Sequence, residues 1–592
     1  MLPVMRYKNT ESRYVITTFG GLNTSFSQSV NELTEAKNMS SELFPAICSS
    51  KKFESAQSTD NIICTAGFFD KLYTVERSDA TSGSVYLKSE GVDKEIATFE
   101  SPSENHIIEF LKDSALIIPE NMIYHIKDDK LQKGDVSVTS TQALCEERFK
   151  DQSGTDKDMP MPYNTWYSAE LKHNSITAMS ANYSVSSTSY KFYHLSLPND
   201  FEKGDVVTIK MEAKPVDVER DDAFYAYVEK MANGISVKIK DVVKTRHATP
   251  KGTITEITAL TFDDYAIDTG GYDDVVVLDI TVEKSIPDFI DICSYENRMW
   301  GVTKNELRVS KLGDASEWND FTVDSYGTLP SSSFSTEVES DGSFTAITSY
   351  NGNILAFKED CIYKVYGNEP NEYSLTRINC PGVKNGCHTS LATVNGALYY
   401  MSRSGIYRFN GSSAVHISAN LDISDMSSGA ASGDERFYYI NMFSDTKNLL
   451  YIFDTFHGVW HITDCPANLK TVVPTDGKIA FVCKKEIMQK SDSFCDNWNF
   501  ALSFAKKEFA SKHICGIHMR YYLDSGAEFT VKLKNKHGTY ILSEVKEGAE
   551  NKPLSVDIPI TCGEDADLIF EGSGKFVLTS LTMKYKETSI KN

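Results

Sequence analysis

Residues 393–411 read TVNGALYYMSRSGIYRFNG. A polar turn leads into an apolar, aromatic strand, a short charged and Gly-containing turn follows, and a second strand carries Ile and Tyr. The same plan recurs as TAGFFDKLYTVERSDATSGSVYLKS (65–89), LKDSALIIPENMIYHIKD (111–128), SYENRMWGVTKNELRVSK (294–311), SYNGNILAFKEDCIYKVYG (349–367), SGDERFYYINMFSDTKNLLYIFD (432–454) and TDGKIAFVCKKEIMQK (475–490). Taking Leu72, Leu116, Met299, Leu355, Leu398, Tyr438 and Ile479 as equivalent, the steps are about 44, 183, 56, 43, 40 and 41 residues. A strand-only period near 40–50 residues is that of a four-stranded propeller blade. A single such sheet cannot bury both of its faces, and radial stacking does so. The expected fold is all-β dominated, a six- or seven-bladed β-propeller.

The long step locates an insertion, residues 131–288. It has strand runs of its own (DVVTIKMEA, 205–213; GISVKIKDVV, 234–243; GTITEITALTF, 252–262; DVVVLDITV, 274–282) and a candidate short helix, DDAFYAYVEKMANG, ending at Gly234. It is expected to be an inserted α+β domain. Beyond residue 495 the period stops, and alternating runs such as EFTVKLKNK (528–536) and FVLTSLTMKY (576–585) predict a C-terminal β-sandwich over 496–592. The domain reading is therefore an N-terminal docking arm (1–55), a first set of blades (56–130), the insertion (131–288), a second set of blades (289–495) and the sandwich.

Composition narrows function. The 592 residues hold 60 Lys and Arg against 82 Asp and Glu, a net charge of −22, with 41% apolar and 24% charged residues. This is ordinary globular composition and not that of a disordered chain. The acidic balance argues against a dedicated nucleic-acid binder, which needs excess Lys and Arg to displace counterions. It is compatible with a wall past which DNA slides, because like charge repels phosphate. No apolar run reaches the length of a membrane span, and the start, MLPVMRYKNTESRYV, lacks a signal-peptide core, so no export is expected. The 12 cysteines are scattered without a CxxC pair, Cys380 and Cys387 being the closest, which reads as reduced thiols made in a cytosol.

Candidate chemistry is sparse. His457 and His461 lie four apart in TFHGVWHIT, but Gly458 and β-branched neighbours favour a turn and strand, where that spacing spans more than about 12 Å, too far to share a metal. The acidic runs Glu219–Asp222, Asp263–Asp264 and Asp273–Asp274 lack the alternation of Ca²⁺ loops and read as solvated turns. Neither a nucleophile elbow nor a phosphate loop occurs, and DSAL (113–116) and SDGSF (340–344) do not complete the Asp-box turns of sialidase propellers. The basic run Lys240–His247 reads as a guarded strand edge, with contact to membrane phosphate or DNA as the functional alternative; Lys506–Lys507 and Lys532–Lys536 read the same way. No enzyme activity, metal or cofactor is expected.

Two stretches carry a resemblance. FGGLNTSFSQSVNELTEAKNMSSELFPAICSSKKF (19–53) resembles the first segment of bacteriophage tail nozzle proteins (tail tubular protein B, or packaged-DNA stabilisation proteins) at Phe19, Gly20, Gly21, Leu33, Ala36, Asn38 and Met39, with FPAICSSKK where that family has an Arg-Pro-Gly-like turn. NRMWGVTKNELRVSKLGDASEWNDF (297–321) and its continuation are similar to propeller blades of such virion proteins at Asn297, Arg298, Trp300, Gly301, Ser310, Lys311, Leu312, Gly313, Asp314 and Trp318, then Phe357, Lys358, Glu359, Gly382, Val383 and Gly386. These are packing and turn residues. The resemblance implies a structural virion protein: a homo-oligomer, six copies in a ring below portal and adaptor, in a tail assembled in the host bacterial cytoplasm. The ring would retain packaged double-stranded DNA and conduct it at ejection without reading its sequence. The alternative is a receptor-binding tail component recognising cell-wall glycans on the host surface, with Trp166, Tyr167, Tyr183, Tyr190, Phe192 and Tyr193 as stacking platforms.

Overall fold

The computed structural model describes residues 6–7, 12–25, 27–59, 61–69, 71–77, 84–89, 92–100, 106–140, 149–150, 156–157, 169–172, 175–179, 182–185, 188–191, 201–215, 225–226, 229, 232–248, 254–262 and 275–589 except 325–326, 446, 467, 476–477, 505–510 and 560–565. The regular structure of these residues is almost all strand, arranged in antiparallel sheets.

Seven of the sheets among the described residues have four strands in meander order. The first comprises 61–68, 71–77, 84–89 and 92–100; the second, 107–111, 114–118, 122–125 and 130–133; the third, 291–295, 298–302, 306–309 and 334–337. The fourth comprises 344–350, 353–358, 362–366 and 374–378; the fifth, 392–394, 397–402, 405–409 and 414–416; the sixth, 427–433, 437–443, 448–454 and 459–464. The seventh joins 469–475, 478–483 and 486–494 to a strand from the other end of the chain, Lys51–Ser58, which pairs with Glu486–Phe494. Leu72, Leu116, Met299, Leu355, Leu398, Tyr438 and Ile479 each lie in the second strand of a different sheet. That is why an apolar marker recurs there: second strands are covered on both faces and read as continuous apolar runs, as in the BBBBBB burial of Phe437–Met442.

In five sheets the described residue that follows the first strand has a left-handed backbone: Phe69 (φ 52°), Lys112 (53°), Glu296 (46°), Asn351 (46°) and Asn395 (48°). In the third, fourth and fifth sheets the second residue follows at positive φ (Asn297 61°, Gly352 71°, Gly396 71°), giving the turn whose twist matches paired strands.

Two compact units divide the chain. One consists of residues 1–106, 342–364 and 377–592, the other of 107–341 and 365–376. In the first unit, successive sheets share apolar cores. Phe437, Tyr439, Leu450 and Ile452 of the sixth sheet meet Leu469, Val472, Phe481 and Cys483 of the seventh. Val473, Ala480, Val482 and Ile487 of the seventh meet Ile62 and Leu72 of the first. In the second unit, Leu111, Leu116, Ile118 and Ile123 of the second sheet pack with Ile292, Met299 and Trp318 of the third region.

The C-terminal segment forms two facing sheets. Five strands run in the order 33–37, 498–503, 567–573, 528–535, 538–545, and the opposing sheet centres on Phe576–Ser589 and Ser511–Leu523. Between them lie Phe500, Phe529, Phe570 and Phe576, with Phe500 and Phe570 stacked at 4.6 Å. The head contributes strands to this body: Ser12–Ile16 and Ile47–Ser49 pair with Phe576–Ser589, and Leu33–Lys37 pairs with Trp498–Ser503. A short polar strand such as LTEAK gives no periodicity of its own, yet it satisfies a sheet edge.

The expectation of an inserted α+β domain is corrected. Among its described residues the inserted region forms a seven-stranded antiparallel sheet in the order 136–140, 275–284, 206–215, 235–248, 254–262, 175–179, 169–172, with two-stranded pairs at 149–150/156–157 and 182–185/188–191. Helical backbone at the described positions Tyr225, Ala226, Glu229, Ala232 and Asn233 lies in the link between two of these strands and stops at Gly234 (φ 97°). The helix signal was local, while the β-branched runs on either side pair across the sheet and set its class.

Candidate functional site

The signature residues gather at three joints. At the first, Phe19 is buried in the main core, and Gly20 and Gly21 let the head pass close to neighbouring backbone. A Cβ on Gly21 would stand 2.5 Å from the amide nitrogen of Trp460, and Leu22 donates its backbone N–H to the Trp460 carbonyl at 2.8 Å. Asn38, at φ 58° and 2% exposed, ties three elements together. Its Nδ2 donates to Asp464 Oδ2 (2.8 Å) and to the Asn497 carbonyl (2.6 Å). Its Oδ1 accepts from Thr463 Oγ1 (2.9 Å) and the Asp464 amide (2.8 Å). Asn tolerates the left-handed region and fills both hydrogen-bonding roles at once.

The second joint is in the third sheet. Arg298 is 2% exposed, and its guanidinium donates to the carbonyls of Ser310 (2.7 Å), Ser332 (2.7 Å) and Pro330. Ser310 Oγ accepts the Met299 amide at 3.0 Å. Trp300 Nε1 donates to the Tyr295 carbonyl at 3.2 Å. Gly301 faces the Phe289 ring, which a Cβ would meet at 2.5 Å. Asn297 and Gly313 hold left-handed turns and share a backbone hydrogen bond of 2.7 Å. Asp314 Oδ1 caps the Ser316 amide at 2.8 Å, and Trp318 is fully buried with Nε1 on the Ala315 carbonyl at 2.9 Å. Leu312 is exposed. At the third joint, a Cβ on Gly382 would lie 1.9 Å from the Lys358 carbonyl oxygen, and Val383 beside it is fully buried.

Sequence reasoning missed three buried charged groups. Asp454 is fully buried and accepts from Ser41 Oγ (2.6 Å), Arg436 Nη2 (2.6 Å) and His457 Nδ1 (3.0 Å). Burial alone would raise its pKa, but the hydrogen bonds from Arg436, Ser41 and His457 hold it well below the carboxylate range. His457 also stacks on Phe44 at 3.9 Å. His461 is 3% exposed, neither ring nitrogen has a protein hydrogen-bond partner, and burial pushes its pKa down to about 4. The two histidines therefore occupy different settings, one hydrogen-bonded to Asp454 and stacked on Phe44, the other in the core.

The other two groups belong to the second unit. Lys284 Nζ binds Asp205 Oδ2 (3.1 Å) and Glu317 Oε2 (2.5 Å), while Lys311 Nζ binds Asp320 Oδ2 (2.9 Å) and Glu202 Oε2 (3.3 Å). This cluster fastens the root of the inserted sheet. Asp205 is fully buried, and burial plus the Glu317 charge raise its pKa to about 6 against the pull of Lys284. Glu109 accepts from Ser294 N (3.0 Å) and Oγ (2.6 Å), and burial raises it to about 7. No spacing in the sequence joins these residues, which come from segments up to about 185 positions apart.

An open groove of about 720 Å³ lies on the sandwich, lined by Lys37, Asn499, Glu571, Thr530 and Glu544 among others. These five stand in one cross-strand row, as the register pairs Lys37 with Asn499, Asn499 with Glu571, Glu571 with Thr530 and Thr530 with Glu544. Among the described residues, no group of three or more His, Cys, Asp or Glu is placed to hold a metal ion. Glu219–Asp222, Asp263–Asp264, Asp273–Asp274, Lys506–Lys507, Trp166, Tyr167, Phe192 and Tyr193 lie outside the described residues, as do the side chains of Tyr183, Tyr190 and Lys240–His247.

No family model matches the sequence, and no curated protein matches it. Among solved structures, the chain aligns with an exo-beta-1,3-galactanase from Phanerochaete chrysosporium at 8% identity and TM-score 0.21, over 51% of this chain and 96% of that one. It aligns with the N-terminal domain of Nup159 at 11% identity and TM-score 0.21, over 49% and 77%. A third alignment, to the extracellular domain of BT4673 from B. thetaiotaomicron, covers 93% and 99% at 10% identity and TM-score 0.17. Similarity this low carries no argument about activity or topology.

Proposed function

We propose that the chain is a structural protein of a bacteriophage tail with no chemistry of its own. In this reading the seven four-stranded sheets are blades of one β-propeller. Six copies form the nozzle ring beneath portal and adaptor, which retains packaged DNA and conducts it at ejection. The seventh sheet supports the propeller, since a strand from one chain end (Lys51–Ser58) completes the last meander from the other; such sharing closes a ring of blades without leaving a long free edge. The net charge of −22 on each copy suits a passage that repels phosphate.

One observation carries the functional reading. The segment resembling the nozzle family, 19–53, supplies strands to both the sandwich and the seventh sheet, with Asn38 as its hub. The resemblance thus falls on residues that hold the body together. Electron microscopy of the purified full chain tests it: rings of six around an open channel are expected, and a monomer with no channel overturns it.

The sandwich groove favours a second reading, a receptor-binding tail component. Its row of amide, hydroxyl and carboxylate groups offers donors and acceptors at strand spacing, as a polyhydroxylated glycan requires. Binding of the full chain to host cell walls, lost in Asn499→Ala, would support this reading over the first.

A further inference from the structure

His461 is buried without a match. It lies in the last strand of the sixth sheet, Val459–Asp464, and neither ring nitrogen has a hydrogen-bond partner in the protein. A polar group withdrawn from water and left unpaired costs free energy. The ring borders a small cavity of about 10 Å³. Ser40, Ser50 and Lys51 of the head, His461 and Thr463 of the sixth sheet and Lys490 of the seventh supply its polar lining. Among the described residues no carboxylate lines it, in a chain whose net charge is −22.

The lining has donors to spare. Lys490 Nζ donates to Tyr439 Oη at 3.0 Å, and Glu42 Oε1 stands 4.0 Å away, beyond hydrogen-bond length. An ammonium has three donors, so protons remain for another acceptor. Burial also pulls the Lys490 pKa down, a cost that a counter-ion beside it offsets. Ser40 Oγ accepts the Glu42 amide at 3.2 Å and keeps its own proton to give. A neutral imidazole adds one N–H. Thr463 is already spent on Asn38, and Lys51 on Asp492 at 3.1 Å. The room is that of a single water-sized sphere, too small for phosphate, sulfate or an organic acid.

We infer that this cavity is a binding site for one halide ion, chloride in ordinary solution, held by the Lys490 ammonium, the His461 N–H and the Ser40 hydroxyl. Lys490 and Lys51 are both partly exposed, which gives the ion a way in. Its three donors come from the seventh sheet, the sixth sheet and the head. A bound ion therefore ties together the segments that meet where Lys51–Ser58 completes the seventh sheet. The inference is independent of any role in a phage tail.

Thermal midpoints of the full chain test it, with sodium chloride exchanged for sodium gluconate at constant ionic strength. A ligand that binds only the folded state raises the midpoint with its concentration, here by about 1 °C for each tenfold rise in chloride. That chloride response is expected in the wild type and in Lys304→Met, which removes an exposed lysine elsewhere. It is lost in Lys490→Met and in His461→Phe. Wild-type crystals grown in sodium bromide give a measurement that needs no variant to fold: one anomalous-scattering peak is expected between Lys490 and His461. A midpoint indifferent to chloride, a response that both cavity variants retain, or a water without anomalous signal in the cavity overturns the inference.

Discussion

Asn38 and Asp464 bind each other reciprocally: the Asn38 side-chain amide donates to the Asp464 carboxylate at 2.8 Å, and the Asp464 backbone amide donates to the Asn38 side-chain carbonyl at 2.8 Å. The pair fixes the head to the last strand of the sixth sheet. Asn38→Ala removes both bonds and places a Cβ-only side chain at φ 58°, so a loss of about 3 kcal/mol is expected in urea unfolding. Asn38→Asp keeps the turn but sets two carboxylates together, and is expected to be as damaging at pH 7 and milder at pH 4. Equal stability of Asn38→Ala and wild type would refute the role.

Arg298 tests the third-sheet joint. Its three carbonyl acceptors are fixed by the fork of the guanidinium. Arg298→Lys loses that geometry and is expected to cost about 2 kcal/mol, with Arg298→Ala costing about 4 kcal/mol because buried carbonyls lose their donors. A lysine variant as stable as wild type would show that the fork is dispensable.

His461 sets an acid-side slope. Its folded pKa of about 4 is below the ordinary 6.5, so the unfolded chain takes up the proton first. Stability is therefore full above pH 6.5, falls as pH drops from 6.5 to 4, and loses about 3 kcal/mol from this group. Denaturation midpoints of His461→Phe measured across that window should lack this contribution; a slope unchanged from wild type would exclude it.

Asp205 acts with the opposite sign. Its folded pKa of about 6 is above the ordinary 3.8, so the charged form is penalised in the folded state at neutral pH. The penalty is present above pH 6 and is relieved as pH falls from 6 to 4. Asp205→Asn should be at least as stable as wild type at pH 7.5 and should remove this acid-side gain, read by hydrogen exchange at Val206–Pro215. Faster exchange in the variant at pH 7.5 would count against it.

Gly382 has no room for a side chain. Gly382→Ala puts a Cβ against the Lys358 carbonyl at 1.9 Å, and the obstacle is backbone. A destabilisation of about 3 kcal/mol or failure to fold is expected, whereas Gly386→Ala, whose Cβ meets nothing within 4 Å, should cost only the strain of φ 76°. Similar losses in the two variants would mean that the close approach is not limiting.

The sheets were legible because their signal is local. Leu398 and Tyr438 mark second strands that are apolar on both faces, and neighbouring strands are joined by short turns. The inserted region was misjudged where DDAFYAYVEKMANG looked helical, because one short link says nothing about the seven strands around it. The charged joints were not legible at all. Lys284 meets Glu317, and Arg436 meets Asp454, through folds of the chain that no spacing records.

The amino-acid sequence alone determined the repeating meander, its acidic surface charge and the break in period after residue 495, since each depends on residue type and short-range order. Only the tertiary structure decided that Lys51–Ser58 completes the seventh sheet and that Leu33–Lys37 edges the sandwich opposite Trp498–Ser503. Strand pairing is chosen by which open edge a segment can reach and satisfy, and that choice is made among partners more than 400 residues away. The left-handed Phe69 is of the same kind: its side chain is plain in the sequence, while its strain exists only once the backbone is folded.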